Sequence, residues 1–558
     1  MQNILIIANA IQTVEETLNA FKFYSDDPSV LEENNNLYLQ KYLRMLPTVG
    51  GQRREVVDTA NFFRQEHGIQ DLISEHNSYA LNGIHLINFL SAALPGWNME
   101  LIDNIDLESE RARSLASWAE VVVFSTTFIT SAFTITRVSQ VLKSWNPRIK
   151  VIVGGAKLTQ FAQDSELHEA AAACDVMIAS RTGEKTLLQI LECIERDQPF
   201  HDLPNLIYWQ DGCCRTRADG HDGADINETR VRWDELPKQY LRSAANVRTG
   251  RGCPFKCKFC TFPGYNDQRM ELKLVDSVMD ELTAIARCPE IRSVRFVDDT
   301  LFLNRRQLID VCQRMIDSGF DRPWTCYLRA STLTDECCRY LRDAGCRLVL
   351  VGIESADDTV LRNMSKGVSE ANNWAAATNL AKYGIFGFAF ILVGFPGETD
   401  RTVVKVIDFL NNSGIHGYVH SPMFIFPKSP VAAEAKRFNL TGGFNDWSHD
   451  TMTARGAIDA CAHIFAEVKS AAYIDRGSSI CKVLLDHGYS VDEAKSLALL
   501  HNNIARQQSA HFDAKPALDS FAGLSLSARG AASAKYLDAS SPYSRTQSEV
   551  RLNAGARY

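Results

Sequence analysis

Cys253, Cys257 and Cys260 lie at i, i+4 and i+7 in "TGRGCPFKCKFCTFPG" (249–264), a loop bounded by glycine and proline. Thiolates are soft ligands suited to iron–sulfur clusters and zinc. A closed zinc site takes four ligands, and no fourth is near: the nearest histidine upstream is His221, and downstream none precedes His416. A cubane cluster held by three cysteines leaves one iron open to another ligand. Two alternatives stay open here: a zinc knuckle completed from elsewhere, and three unrelated buried thiols. Gly250 and Gly252 let the backbone turn closely around a cluster, and Lys256 and Lys258 are placed to offset its negative charge.

The elements that must position this loop alternate apolar runs with amphipathic stretches. Strands are expected at 3–10, 99–105, 121–128, 151–156 and 175–180, with helices at 83–94, 133–145 and 183–195. That pattern predicts an α/β fold that opens with a flavodoxin-like, doubly wound parallel sheet. The polar, helix-prone stretch 20–82 has no evident role. A Gly- and Asp-rich hairpin and linker at 211–230 puts the end of the first domain at 235. Strands then recur at 246–252, 293–299, 325–330, 347–355, 387–395 and 417–426, with helices between them such as 273–285 and 371–384. Six β/α units predict a partial barrel over 236–430, with its chemistry at the carboxyl ends of the strands. Residues 431–508 are expected to form a helical cap, and 509–558, rich in Ala, Ser and Arg, a disordered tail.

The whole chain narrows the function classes. Its 558 residues carry a formal charge of −8, which argues against a nucleic-acid partner. No apolar run reaches the roughly 18–20 residues of a spanning helix, so no membrane partner is expected. Fifteen cysteines without a signal peptide point to a reducing, cytoplasmic setting.

The pattern Cys-x₃-Cys-x-Phe-Cys, with Phe259 just before the third cysteine, resembles the signature of the radical SAM superfamily. The resemblance implies a 4Fe–4S cluster on Cys253, Cys257 and Cys260 whose open iron chelates S-adenosylmethionine (SAM). Reductive cleavage of SAM then gives a 5′-deoxyadenosyl radical, and the cofactor carries the difficult chemistry. Further segments match the family in order. "FVDDTLFLN" (296–304) implies that Asp298 or Asp299 accepts a hydrogen bond from the SAM ammonium. "CYLRAS" (326–331) places Arg329 to pair with the SAM carboxylate. "LVGIESADDTVLRNMSKG" (350–367) implies that Glu354 contacts the ribose, and "ILVGFPGETD" (391–400) that backbone near Gly394 lies under the adenine.

The segments "FSTTF" (124–128), "VGGA" (153–156) and "RTGEKT" (181–186) follow strands at the ligand crevice of such a sheet. They resemble the cobalamin-binding domain of class B radical SAM enzymes. Cobalamin contacts are then expected from Ser125, Thr126, Thr127, Gly154, Gly155, Thr182, Gly183 and Glu184. The lower-ligand motif Asp-x-His-x-x-Gly is absent, and His85 reads as packed in a helix rather than ligating. The resemblance implies methyl transfer to an unactivated carbon, or phosphorus, of a small-molecule natural-product intermediate, with flavodoxin or ferredoxin as electron donor. "GFNDWSHDTMTA" (443–454) resembles an element of natural-product C- and P-methyltransferases, which places Trp447 and His449 at a substrate pocket or in the core. The rivals are a cobalamin-dependent ring-forming or rearranging enzyme, a tRNA methylthiotransferase and a non-catalytic cobalamin sensor.

Overall fold

A computed structural model of the chain describes residues 2–10, 28–74, 76–129, 131–155, 158, 166–180, 182–217, 225–261, 270–298, 300–301, 304–426, 429–474 and 478–526. Runs such as Val121–Ser125, buried along their whole length, form strands covered on both faces. In spatial order, Asn98–Ile102, Asn3–Ile7, Val121–Ser125, Lys150–Gly154 and Val176–Ile178 run parallel. The hairpin Leu206–Gln210 and Cys213–Arg217 extends this sheet antiparallel. Successive residues of each strand serve opposite faces. Ile4 and Ile6 meet the helices Leu81–Ala93 and Glu184–Glu195, while Leu5 and Ile7 meet Ala132–Trp145.

The second sheet is parallel throughout, and its strands lie in chain order: Ala244–Val247, Ser293–Phe296, Trp324–Leu328, Cys346–Glu354, Phe386–Val393, Gly417–Pro422 and Ala472–Tyr473. One face, with Val349, Val351, Ala389 and Ile391, packs against helices that include Val275–Ala286 and Arg305–Asp317. The other face carries Leu348, Leu350, Phe386 and Phe388.

Four features depart from the sequence reading. The run 246–252 is two strands, because Gly250–Gly252 leaves the sheet and pairs antiparallel with Met270–Leu272. Residues after 430 are not purely helical. Thr441–Gly443, Asp446–His449 and Met452–Thr453 form a small antiparallel sheet, and Ala472–Tyr473 joins the large one. Lys515–Leu526, expected within the tail, is a helix whose Phe521 is fully buried; residues 527–558 lie outside the described residues. Finally, the unassigned stretch near the amino terminus holds the helices Pro28–Arg44 and Val56–Glu66. Val56, Val57 and Ala60 pack with Leu348, Phe386, Leu497 and Phe521. This segment therefore covers the second sheet together with the C-terminal helices.

Candidate active site

The cysteine loop starts where Gly250–Gly252 peels away from the second sheet. Asp298, just past the neighbouring strand, fixes that departure. Its Oδ1 accepts the N–H groups of Thr249 (2.8 Å) and Gly250 (2.6 Å). Asp298 was expected to face the SAM ammonium; the structure instead engages its buried carboxylate with the backbone that launches the loop. Asp299 lies outside the described residues.

Cys257 is buried and Cys253 and Cys260 half-buried, none of them joined in a disulfide. The Cys260 N–H donates to the Cys257 carbonyl (3.1 Å), and the Lys258 N–H donates to the Met364 carbonyl (2.9 Å). Lys258 pairs with Glu434 at 2.6 Å, which ties the loop to the segment after 430 rather than leaving the ammonium over the thiols. Among the described residues no three His, Cys, Asp or Glu side chains gather about one point as ligands of a single ion.

Arg329, at the end of Trp324–Leu328, reaches the loop. Its Nη1 lies 3.9 Å from the Cys257 sulfur, its Nη2 donates to the Lys366 carbonyl, and its guanidinium sits 3.7 Å over the Phe255 ring. Glu354 closes the next strand at φ +61°, beside a register shift. Lys366 donates to its Oε1 at 2.7 Å, while the buried Oε2 has no hydrogen-bond partner. The Lys366 ammonium also lies 5.3 Å over Phe259. Sequence reasoning missed Lys366, because nothing local marks a lysine twelve residues beyond its carboxylate as its partner.

Gly394 follows Phe386–Val393 at φ +94°, where a Cβ would meet Trp447 at 2.6 Å. Its N–H donates to Glu398. Burial raises the Glu398 carboxyl to about 8, against the opposing pull of that N–H. His449 accepts the Thr451 N–H at Nδ1 (3.2 Å), so its Nε2 carries the proton and donates to the Gly394 carbonyl (2.9 Å). Burial pushes the His449 pKa down, which favours this neutral form. Trp447 stacks on His449, and both are buried. Of the two expectations for this pair, the structure places them as packing behind Gly394.

At the rim of the first sheet, the Thr126 hydroxyl donates to the Gly154 carbonyl (3.2 Å), and Thr126 is fully buried. Ser180 Oγ accepts the Thr182 N–H and donates to the Thr182 carbonyl, so Thr182 also faces inward. Burial therefore removes Thr126 and Thr182 from the expected ligand contacts. Thr127 is exposed, 3.0 Å from the Ser125 hydroxyl. Gly155, at φ +137°, approaches Thr126 so closely that a Cβ would lie 2.6 Å from its hydroxyl, whereas a Cβ on Gly154 would stand in nearly open space. Gly183 packs on Ile178. Asn82, which sequence reasoning missed, donates to Ser125 Oγ and leaves its own buried carbonyl oxygen unpartnered.

Glu184 joins the two rims. Its Oε1 lies 3.1 Å from His85 Nε2 and 3.7 Å from the Arg251 guanidinium, two residues before Cys253. Burial alone would raise this carboxyl; His85, by hydrogen bond and charge, and Arg251 outweigh it and hold the pKa at about 2. His85 is thus packed against the Glu184 carboxylate.

Comparison with known proteins agrees with this geometry. Residues 247–410 match the Radical SAM superfamily. An uncharacterized methyltransferase of Pyrococcus horikoshii is 26% identical over 56% of this chain and 69% of its own length. The hopanoid C-2 methylase of Rhodopseudomonas palustris is 26% identical over 33% of this chain, an alignment spanning only 36% of that enzyme. The fold is similar to that of the radical SAM methyltransferase TsrM from Kitasatospora setae, solved with cobalamin and a 4Fe–4S cluster, at TM-score 0.57 and 15% identity over 78% of this chain and 98% of that one. Residues 247–410, which carry the cysteine loop, are thus a Radical SAM domain.

Proposed function

We propose that the protein is a cobalamin-dependent radical SAM methyltransferase acting on an unactivated carbon, or phosphorus, of a small organic molecule. The observation that carries this reading is the meeting of three elements on one side of the second sheet: the three-cysteine loop, Arg329 beside Cys257, and Glu354 with one buried oxygen unpaired among the described residues. On this reading the second sheet is an open six-unit barrel and the first a flavodoxin-like cobalamin-binding fold. The boundary near 235 falls among the short turns between Arg217 and Ala244.

Bound together, the cluster and SAM supply a radical that removes a hydrogen atom, and the corrin supplies a methyl group. The chain's own residues hold and orient these groups. Cys253, Cys257 and Cys260 hold the cluster, and Asp298 sets the loop's exit angle through Thr249 and Gly250. Arg329 presents its fork to the SAM carboxylate. Glu354, aimed by Lys366, keeps Oε2 for a ribose hydroxyl. Gly394, whose missing side chain makes room for Trp447 and Ala457, presents to the adenine a backbone that Trp447 and His449 support. In the first domain, Thr127, Gly154 and the free carbonyl of Asn82 suit a flat ligand with amide side arms. The relatives named as methylases and the TsrM fold support the same reading.

Anaerobic reconstitution is expected to give about one 4Fe–4S cluster per chain, and purification with hydroxocobalamin a stoichiometric corrin spectrum. Methyl-labelled SAM then separates methyl transfer from ring formation or rearrangement. Reductive SAM cleavage by a variant with Ala at positions 253, 257 and 260 would falsify the assignment.

A further inference from the structure

Within the second sheet, setting aside Asn246 on its first strand, solvent reaches one row of the described residues. Trp324–Leu328 is buried except at Tyr327, Phe386–Val393 except at Phe390, and Gly417–Pro422 except at Val419. Cys346–Glu354 is half-buried at Gly352, its only other accessible residue being Arg347 at the far end. The register aligns three of them, Gly352 with Phe390 and Phe390 with Val419, while Tyr327 stands opposite Leu350, one step back on the same face. The Tyr327 and Phe390 rings lie nearly parallel, 13° apart with centroids at 6.3 Å. Leu348, Leu350, Phe386 and Phe388, on the same face but deeper, are sealed under the terminal helices.

This row faces the cysteine loop. Tyr327 and Arg329 are two residues apart along an extended chain and so share a side, and Arg329 reaches Cys257. Gly352 lies against the Glu354–Lys366 pair, since a Cβ there would stand 2.5 Å from both partners' polar atoms. At the edge of the row is a cation. Lys482, buried on the helix Ser478–Asp486, donates to the Tyr327 hydroxyl at 3.4 Å and holds its ammonium 4.9 Å from that ring.

We propose that Tyr327, Gly352, Phe390 and Val419 are the floor on which the methyl acceptor lies, and that Lys482 anchors an acidic group at its edge. The acceptor is then a flat, largely apolar organic acid. The two aromatic faces and a side-chain-free glycine accept a planar body, and the Lys482 ammonium at their edge complements a carboxylate or similar anion. The inference deepens the reading given under Proposed function and rests on it.

The test uses reconstituted holoenzyme and two fluorescent probes that differ only in charge: anilinonaphthalene sulfonate, flat and anionic, and its neutral parent phenylnaphthylamine. Lys482→Met is expected to weaken the anionic probe about tenfold, the size of one charge-assisted hydrogen bond, and to leave the neutral probe within about twofold. Lys482→Arg is expected to restore the anionic probe. Phe390→Leu is expected to weaken both probes. Equal loss of both probes in Lys482→Met, or no loss of the anionic one, overturns the anchor. Unchanged binding of both in Phe390→Leu overturns the floor. Reductive SAM cleavage by the unaltered holoenzyme is measured alongside. Its absence overturns the radical reading whatever the probes do, whereas a contrary probe result with cleavage intact overturns this inference alone.

Discussion

The rims of the two sheets are organised by different forces. At the second sheet, charged groups position the backbone: Asp298 grips Thr249 and Gly250, and Lys366 aims Glu354. At the first sheet, neutral hydroxyls bond to near neighbours, Thr126 to Gly154 and Ser180 to Thr182. Buried charge holds a geometry strongly but makes it depend on protonation. Hydroxyl networks hold it more weakly and are indifferent to pH. The cluster loop should therefore respond sharply to charge substitutions, and the first crevice only mildly to hydroxyl ones.

The largest expected effect is at Glu398. The folded state keeps its proton up to about pH 8, while the unfolded chain loses it near the ordinary value of 4.5. Between those values the native state binds more protons, so stability falls as pH rises, by roughly 5 kcal/mol in all. Glu398→Gln keeps an acceptor for the Gly394 N–H and removes the ionisable group. It is expected to raise the melting temperature at pH 8 and flatten its slope between pH 5 and 8, read by calorimetry; an unchanged slope would show that Glu398 is ionised in the fold.

Glu184 runs the opposite way. With its pKa held at about 2 against an ordinary 4.5, its contribution is complete above about pH 4.5 and lost as pH falls toward 2, roughly 3 kcal/mol. Glu184→Gln is expected to remove that part of the acid limb and to loosen the join between the two domains, seen as faster proteolysis between residues 217 and 244. A smaller effect, about 1–2 kcal/mol, is expected for Asp298→Asn, which retains one acceptor oxygen but loses its charge. The same variant should lower iron content per chain, since the loop's exit angle is no longer fixed. The smallest effects belong to the first crevice. Thr127→Val is expected to weaken cobalamin binding a few-fold, about 0.5–1 kcal/mol, and Thr126→Val to leave it unchanged, because that hydroxyl is already bonded inward. A larger effect from Thr126 than from Thr127 would reverse the contrast between the two rims.

The same contrast decides what the sequence could reveal. Long apolar runs such as "FGFAFILV" are legible because a strand buried on both faces leaves a continuous apolar signature. The cysteine spacing is legible because its ligand chemistry is local. Asp298 is legible as a functional carboxylate, yet its partner is a backbone turn 49 residues earlier, and nothing in "FVDD" encodes that. Thr126 and Thr182 look like ligand hydroxyls by type, but burial, which composition does not report, turns them inward. The helix Val56–Glu66 was opaque for a related reason: its apolar stripe matches a surface built by residues far along the chain. Phe521 lay hidden in a tail whose overall composition outweighed one short amphipathic stretch.

That distant pairing has a consequence for how the molecule comes into being. Arg64 donates to the carbonyl of Ser525, 461 residues later. At about 5–20 residues per second on the ribosome, the early helix waits roughly 20–90 s for its partners. During that interval its apolar face lacks the C-terminal helices that complete its cover. Cutting the gene near residue 235 to isolate the second domain would make the wait permanent, so the catalytic half is expected to be obtained intact only when the amino-terminal helices are supplied with it.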